Sequence, residues 1–137
     1  MKNKFQKIIQ VIIILFLIVM IFEIFYQKFQ FMKNYKFANG IITETTKRGW
    51  KNSGDYSIIY HYQVAGKNYK ADQSYNLCNN LTREEVTSLL LNKKFAVAYS
   101  DKHPSISSMI ITQESAERFK YKIPDSLLIY DSILTCK

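Results

Sequence analysis

The chain has 137 residues, 47 % of them apolar, and 19 Lys and Arg against 11 Asp and Glu, for a formal net charge of +8. That length allows one ordinary domain with an appendage. The charge raises nucleic acid or anionic lipid as partners, yet the lysines are spread along the chain and their one dense group is Lys47, Arg48 and Lys51. A solvated loop beside a membrane is the simpler reading.

The appendage comes first. Residues 1–7 form a short tail containing Lys2, Lys4 and Lys7, and residues 8–27, "IIQVIIILFLIVMIFEIFYQ", lack Lys, Arg, Gly and Pro altogether. As a helix rising about 1.5 Å per residue, this stretch covers about 30 Å, the hydrocarbon thickness of a bilayer. Fifteen of its residues are Ile, Leu, Val or Phe. At roughly −0.4 kcal/mol each they contribute about −6 kcal/mol, against about 2.5 kcal/mol or less for Glu23 near a helix end. Insertion wins, with Ile8, Ile14, Phe16, Ile21 and Phe25 among the side chains that meet lipid. A cleaved secretory signal needs a shorter apolar core followed by small residues. This core instead runs into "IFEIFYQKFQF", bulky throughout, and no Cys stands where a lipoprotein needs one, so an uncleaved anchor is expected.

Residues 28–37 read as an interfacial collar, in which Phe29, Phe31, Tyr35 and Phe37 alternate with Lys28, Lys33 and Lys36. Lysines on the two sides of the span nearly balance. The α-amino group tips the excess to the amino end, which places that end in the cytoplasm and the rest of the chain outside.

Residues 38–112 read as a β-domain. "GIITETT", Gly40 to Thr46, is a first strand rich in β-branched residues. The basic loop "KRGWKNSGD" follows, and then "YSIIYHYQV", in which Tyr56, Ile58, Tyr60, Tyr62 and Val64 share one face. Ala65-Gly66 is a two-residue hairpin turn returning through "KNYKADQSY", which sets Tyr62 opposite Tyr69, Tyr60 opposite Ala71, His61 opposite Lys70 and Ile59 opposite Asp72. A type I′ turn prefers Asn or Asp before the Gly, so Ala65 is a local flaw.

Thr82 and Glu85 form a capping box for a helix running to about Leu91, flanked by Leu81 and Val86 as a staple and burying Val86, Leu89 and Leu90, with Asn92 to close it. "KFAVAYS" is a fourth strand, with Phe95, Val97 and Tyr99 on one face and two alanines on the other. "DKHPS" turns the chain into a fifth strand, "ISSMIIT". In the extension 113–137, expected to pack on the domain, "QESAERFK" reads as one or two helical turns, and "SLLIYDSIL" as a packed helix or a strand. Cys78 and Cys136 fit no metal pattern and leave open one disulfide tying down the carboxyl end or two free thiols.

Three stretches, "NGIITETT", "YHYQVAGKNYKA" and "FAVAYSDKHPSIS", resemble family 3592 of the domains of unknown function, which are small bacterial membrane-tethered domains. The resemblance runs from Asn39 to Ser107 and falls on Gly40, Tyr60, Tyr62, Val64, Gly66, Lys67, Tyr69, Tyr99, Pro104 and Ser107. Departures are Ala65 where the family has an acidic residue or Asn, His103 where it has Asn, and the capped helix from Thr82. The resemblance implies a membrane-associated β-domain and brings no activity or catalytic residues.

The expected fold is therefore one N-terminal transmembrane helix followed by a small, mainly antiparallel α+β domain. Its β part is a five-stranded barrel or roll with one helix between strands three and four, an order that also suits an OB-type barrel. No phosphate loop, nucleophile elbow or metal-ligand motif is present, and His61 and His103, the only histidines, suit structural roles, so no enzyme activity and no cofactor are expected. The tyrosines share their face with Ile58 and Val64, which must be buried. This leaves no stacking platform for single-stranded nucleic acid, and neither nucleic acid nor a small-molecule substrate is expected. Tyr60, Tyr62, Gly66 and Tyr69 read as a folding hairpin, and the loop carrying Lys47, Arg48, Trp50 and Lys51 as the contact surface for a partner. The expected function is a non-catalytic binding or structural module of the bacterial cell envelope, held by lipid through residues 8–27 and engaging an envelope protein. The alternatives are a membrane-tethered immunity or defence protein that captures a toxin, and an OB-like binder of oligonucleotides or sugars.

Overall fold

A computed structural model describes residues 2–47, 55–76 and 81–135. The chain divides into two compact units, 1–34 and 35–137. The first unit is a single helix, α1 (Lys2–Lys33). Within it Gln6–Lys33 forms a stretch of 28 residues with mean hydropathy 3.1 over its most apolar window, none of which is buried in the protein. Every backbone N–H and C=O inside such a helix is satisfied by the helix itself, so its β-branched isoleucines are tolerated in an apolar solvent. The N–H of Asn34 still donates to the Gln30 carbonyl at 2.9 Å, after which the chain turns extended.

The second unit begins earlier than the sequence suggests. β1 (Tyr35–Lys47) starts at Tyr35 rather than Gly40, so the expected collar 28–37 is corrected. Its first part is the end of α1, and Tyr35, Lys36 and Phe37 belong to the sheet. The alternation of aromatic and small or charged residues in "YKFANG" is the period of a strand. Its aromatics have ring partners in the domain, Phe119 for Tyr35 and Tyr121 for Phe37.

The other elements are β2 (Asp55–Val64), β3 (Lys67–Asn76), α2 (Arg83–Leu90), β4 (Lys94–Ser100), β5 (Ser107–Ile110), α3 (Gln113–Arg118), a 3₁₀ turn (Asp125–Leu127) and α4 (Ile129–Leu134). The five strands form one antiparallel sheet in the order β3-β2-β1-β4-β5, curled into a half-barrel. Three strands, a helix and two strands is the expected order.

β1 is long enough to serve two neighbours. Its first half pairs with β4 and its second with β2, and Gly40 pairs with both Phe95 and Tyr62. At this crossing a Cβ on Gly40 would run into Val97 Cγ2 and come within 2.9 Å of Met109 Cε, so the bend needs a residue without a side chain. A bulge between Ile42 and Glu44 then shifts the register. Strict alternation from Gly40 and Ile42 would turn Glu44 inward. The extra residue, Thr43, turns Glu44 out and brings Thr45 in opposite Ile58.

The β2–β3 hairpin has the expected register, with Tyr62 opposite Tyr69, Tyr60 opposite Ala71, His61 opposite Lys70 and Ile59 opposite Asp72. Ala65 and Gly66 take φ of 50° and 78°, as a type I′ turn requires. α2 opens on the expected capping box: Glu85 N–H donates to Thr82 Oγ1 at 3.3 Å, and Thr82 N–H donates to Glu85 Oε2 at 2.7 Å. The Thr82 N–H, together with the Thr82 hydroxyl, which donates to the same Glu85 oxygen at 3.0 Å, holds the Glu85 carboxyl below its ordinary pKa. Asn92, at φ 62°, closes the helix and donates its N–H to the Ile42 carbonyl at 2.8 Å.

Val86 and Leu90 enter a core with Ile42, Tyr56, Ile58, Tyr60, Tyr62, Phe95, Val97, Met109 and Ile111. Leu89, expected to be buried, is 41 % exposed. One turn of helix separates Val86 from Leu90, and Leu89 lies 100° away from Leu90 on a helix too short to be covered on two sides.

β4 has the expected division of its faces, and both are covered. From Phe95 to Ser100 every residue is buried, on both faces of the strand. The face with Phe95, Val97 and Tyr99 lines the interior. Ala96, Ala98 and their neighbour Ile110 turn the other way and are also buried, as are Ala116, Phe119 and Ile123 of the extension. The ring of Phe119 meets Tyr35 edge-on at 5.2 Å, and the Tyr35 hydroxyl donates to the Phe119 carbonyl at 2.9 Å. α4 goes to the interior instead, where Ile133 and Leu134 join the core and Tyr130 meets Phe95 edge-on at 5.3 Å. The segment whose form was open, "SLLIYDSIL", is thus helical. Its buried Asp131 accepts the Gln113 N–H at 2.7 Å and the Thr135 hydroxyl at 3.0 Å, which ties α4 to the start of α3.

Candidate functional site

The tyrosine row is part of the core. Tyr56, Tyr60 and Tyr62 are nearly inaccessible, and Tyr62 stacks on Tyr69 at 5.6 Å and on Tyr99 at 6.4 Å. A buried phenol needs a partner for its hydroxyl. Tyr60 finds Ser107 Oγ at 3.0 Å, Tyr56 finds Thr87 Oγ1 at 3.2 Å, and Tyr62 donates to the Pro104 carbonyl. Burial pushes the Tyr60 phenol up to about 12 and raises those of Tyr62 and Tyr75. Among the described residues no buried side-chain nitrogen or oxygen lacks a partner, so the interior holds no polar group aimed at a ligand.

The half-barrel is fastened by a side chain. Gln73 sits on the inward face of β3, opposite Ile58, and its Oε1 accepts the Met109 N–H at 2.8 Å and the Ser108 hydroxyl at 3.2 Å, while its Nε2 donates to the Tyr75 hydroxyl at 2.6 Å. One amide thus bridges the two edge strands where no ladder joins them. The sequence carried a signal for it, because the inward series Tyr69, Ala71, Gln73, Tyr75 contains one polar residue.

The outer face of β2 and β3 is the open surface of the barrel. Thr46, Ser57, Ile59, Lys70, Ala71 and Asp72 line a shallow groove of about 380 Å³. Ser57 forms its buried floor and is held by Ser74 Oγ at 3.2 Å. His61, half-buried, pairs with the exposed Lys70 beside it. The groove therefore offers hydroxyls, one ammonium, one carboxylate and a small apolar patch, a chemistry suited to polar hydrogen-bonding ligands and not to stacked bases. A second hollow of about 520 Å³ lies between β1 and α2, lined by Thr43, Glu44, Thr45, Glu84, Thr87, Ser88 and Leu91. Its base is a hydroxyl junction in which Thr87 Oγ1 lies 2.7 Å from Thr45 Oγ1, pinning the helix to the sheet.

Of the expected contact loop, Lys47 ends β1 opposite Tyr56, whereas Arg48, Trp50 and Lys51 lie outside the described residues. Cys78 and Cys136 lie outside them as well. Among the described residues no group of three or more His, Cys, Asp or Glu is placed to hold a metal ion. His103 is exposed in the β4–β5 turn, where its N–H donates to Ser100 Oγ at 3.2 Å.

These features define an α+β protein made of an apolar helix followed by a five-stranded antiparallel half-barrel, with a helix between strands three and four. Comparison with protein-family models, curated proteins and solved structures finds no match in any of the three.

Proposed function

We propose that this protein is a membrane-anchored, non-catalytic binding or support module of the bacterial cell envelope, with α1 spanning the bilayer once and the half-barrel on the outer side. The observation that carries this reading is the 28-residue stretch Gln6–Lys33, whose most apolar window has mean hydropathy 3.1 and has no residue buried in the protein. Such a surface is stable only in lipid or under another protein. The resemblance to family 3592, which implies a membrane-tethered β-domain, points the same way, and the slight basic excess at the amino end favours the outer side for the barrel. A partner is engaged through the outer β2–β3 face, where the groove beside Lys70 supplies hydrogen-bonding groups and a charge of each sign.

Resistance to alkaline carbonate extraction tests the anchor. Protease digestion of intact cells tests the side, and a fully protected barrel overturns an external location. A photoreactive residue at Ile59, in cells, captures the partner if the groove is the contact face, and loss of the adduct on Lys70→Glu ties the capture to that groove.

The groove also favours one second reading. In OB-type barrels the face of strands two and three binds oligonucleotides or sugars. The polar lining here, without exposed aromatics, fits a sugar better than a base. Retention on an oligosaccharide matrix, lost on Asp72→Ala, is the outcome expected under that reading.

A further inference from the structure

α1 carries a polar stripe that anchoring alone does not require. Between Ile8 and Asn34 the amide side chains are Gln10, Gln27, Gln30 and Asn34, and the single carboxyl is Glu23. At 3.6 residues per turn, Glu23, Gln27, Gln30 and Asn34 fall within about 60° of the helix circumference. Their spacing of four, three and four is that of a two-helix seam, which continues towards the amino end through Met20, Phe16, Ile13 and Ile9. Within the stripe Asn34 Nδ2 donates to Gln30 Oε1 at 3.2 Å, and Gln30 Nε2 donates at 3.1 Å to the hydroxyl of Tyr26, which stands to one side of it. Glu23 and Gln27 stand on the hydrocarbon side of Lys28 and have no hydrogen-bond partner among the described residues. Phe22 and Phe25, on other faces of the helix, are 72 % and 69 % exposed.

We propose that this stripe is the seam of a parallel pair of α1 helices from two copies of the chain. The inference rests on the reading of α1 as a membrane span. Inside hydrocarbon an unpaired carboxyl or amide is costly, and the expense is relieved by a hydrogen bond across a helix interface. The chemistry of the stripe identifies the partner as a second copy. A glutamine carries both donor and acceptor, so Gln27 facing Gln27 across a two-fold axis satisfies both helices. Copies inserted by the same rule run parallel, which brings equal residues to equal depth.

The test uses the full chain in native membranes with Cys78 and Cys136 changed to Ser and single cysteines placed from Phe16 to Gln27. Oxidative cross-linking is expected to peak at positions 16, 20, 23 and 27 and to fall at least threefold at 18, 22 and 25. Energy transfer between differently labelled full chains that keep both cysteines measures the same pairing without those changes. It is expected to fall at least threefold in the double variant E23L and Q27L, with carbonate resistance retained. A flat cross-linking profile, a peak on another face, adducts only to other membrane proteins, or undiminished energy transfer in the double variant overturns the proposal. Loss of carbonate resistance in the unaltered chain overturns instead the reading of α1 as a span.

Discussion

Gln73 on β3 takes the Met109 N–H of β5 at 2.8 Å, and with this bond a side chain joins the two edges of a sheet that has no ladder there. The edge of β5 is thereby kept from offering a free, buried donor, the kind of group that destabilises a core and templates wrong pairings.

Replacing Gln73 with Leu fills similar space and leaves the Met109 N–H and the Ser108 hydroxyl without their acceptor. The expected cost is about 1–3 kcal/mol, the usual penalty for stranding a buried polar group. It is checked by the thermal midpoint of the full chain in detergent, and the β5 amides should also exchange with solvent faster than those of β2.

Gly40→Ala places a methyl against Val97 and Met109 at the point where β1 changes neighbours. Overpacking of this kind costs about 1–3 kcal/mol. Val97→Ala made in the same chain should recover part of that loss. A double-mutant cycle with no coupling would show that the bend tolerates a side chain.

Ala65 sits at φ 50°, in the left-handed region that a Cβ disfavours, with Gly66 at 78° beside it. Asn is at ease there, so Ala65→Asn is expected to stabilise the domain by about 1 kcal/mol. A rise of the melting temperature checks it, and the gain should add to substitutions at distant sites because Ala65 and Gly66 are exposed.

Burial pushes the Tyr60 phenol up to about 12 from an ordinary value of 10.0. Between these two pH values the unfolded chain loses its proton while the folded chain keeps it, so stability is full below pH 10 and falls as pH rises towards 12. Melting temperatures taken from pH 9 to 12 should decline. Tyr60→Phe should reduce the slope without abolishing it, since the phenols of Tyr62 and Tyr75 are raised in the same direction.

Local chemistry made part of this molecule legible in the sequence. A two-residue turn leaves one register, so counting outward from Ala65-Gly66 places Tyr62 against Tyr69 and Ile59 against Asp72 without knowledge of any other strand. The capping box of Thr82 and Glu85 is likewise complete within four residues. The apolar run of α1 needs only its length and composition, since a helix satisfies its own backbone.

What the sequence did not disclose depends on residues far apart along the chain. Tyr35 and Phe37 look like a membrane collar until Phe119 and Tyr121 supply rings for them. Thr43 looks like an ordinary strand residue until pairing with β2 makes it the bulge that turns Glu44 out. The alternation in β4 separates Phe95, Val97 and Tyr99 from the two alanines but does not show that both faces are buried. Gln73 shows its polarity in the sequence but not its purpose. The sequence by itself determined the helix, the hairpin and the cap, because each closes its hydrogen bonds within a few residues. The tertiary structure alone decided the sheet order, the bend at Gly40 and the closure by Gln73, because those contacts join segments whose meeting depends on the packing of the whole core.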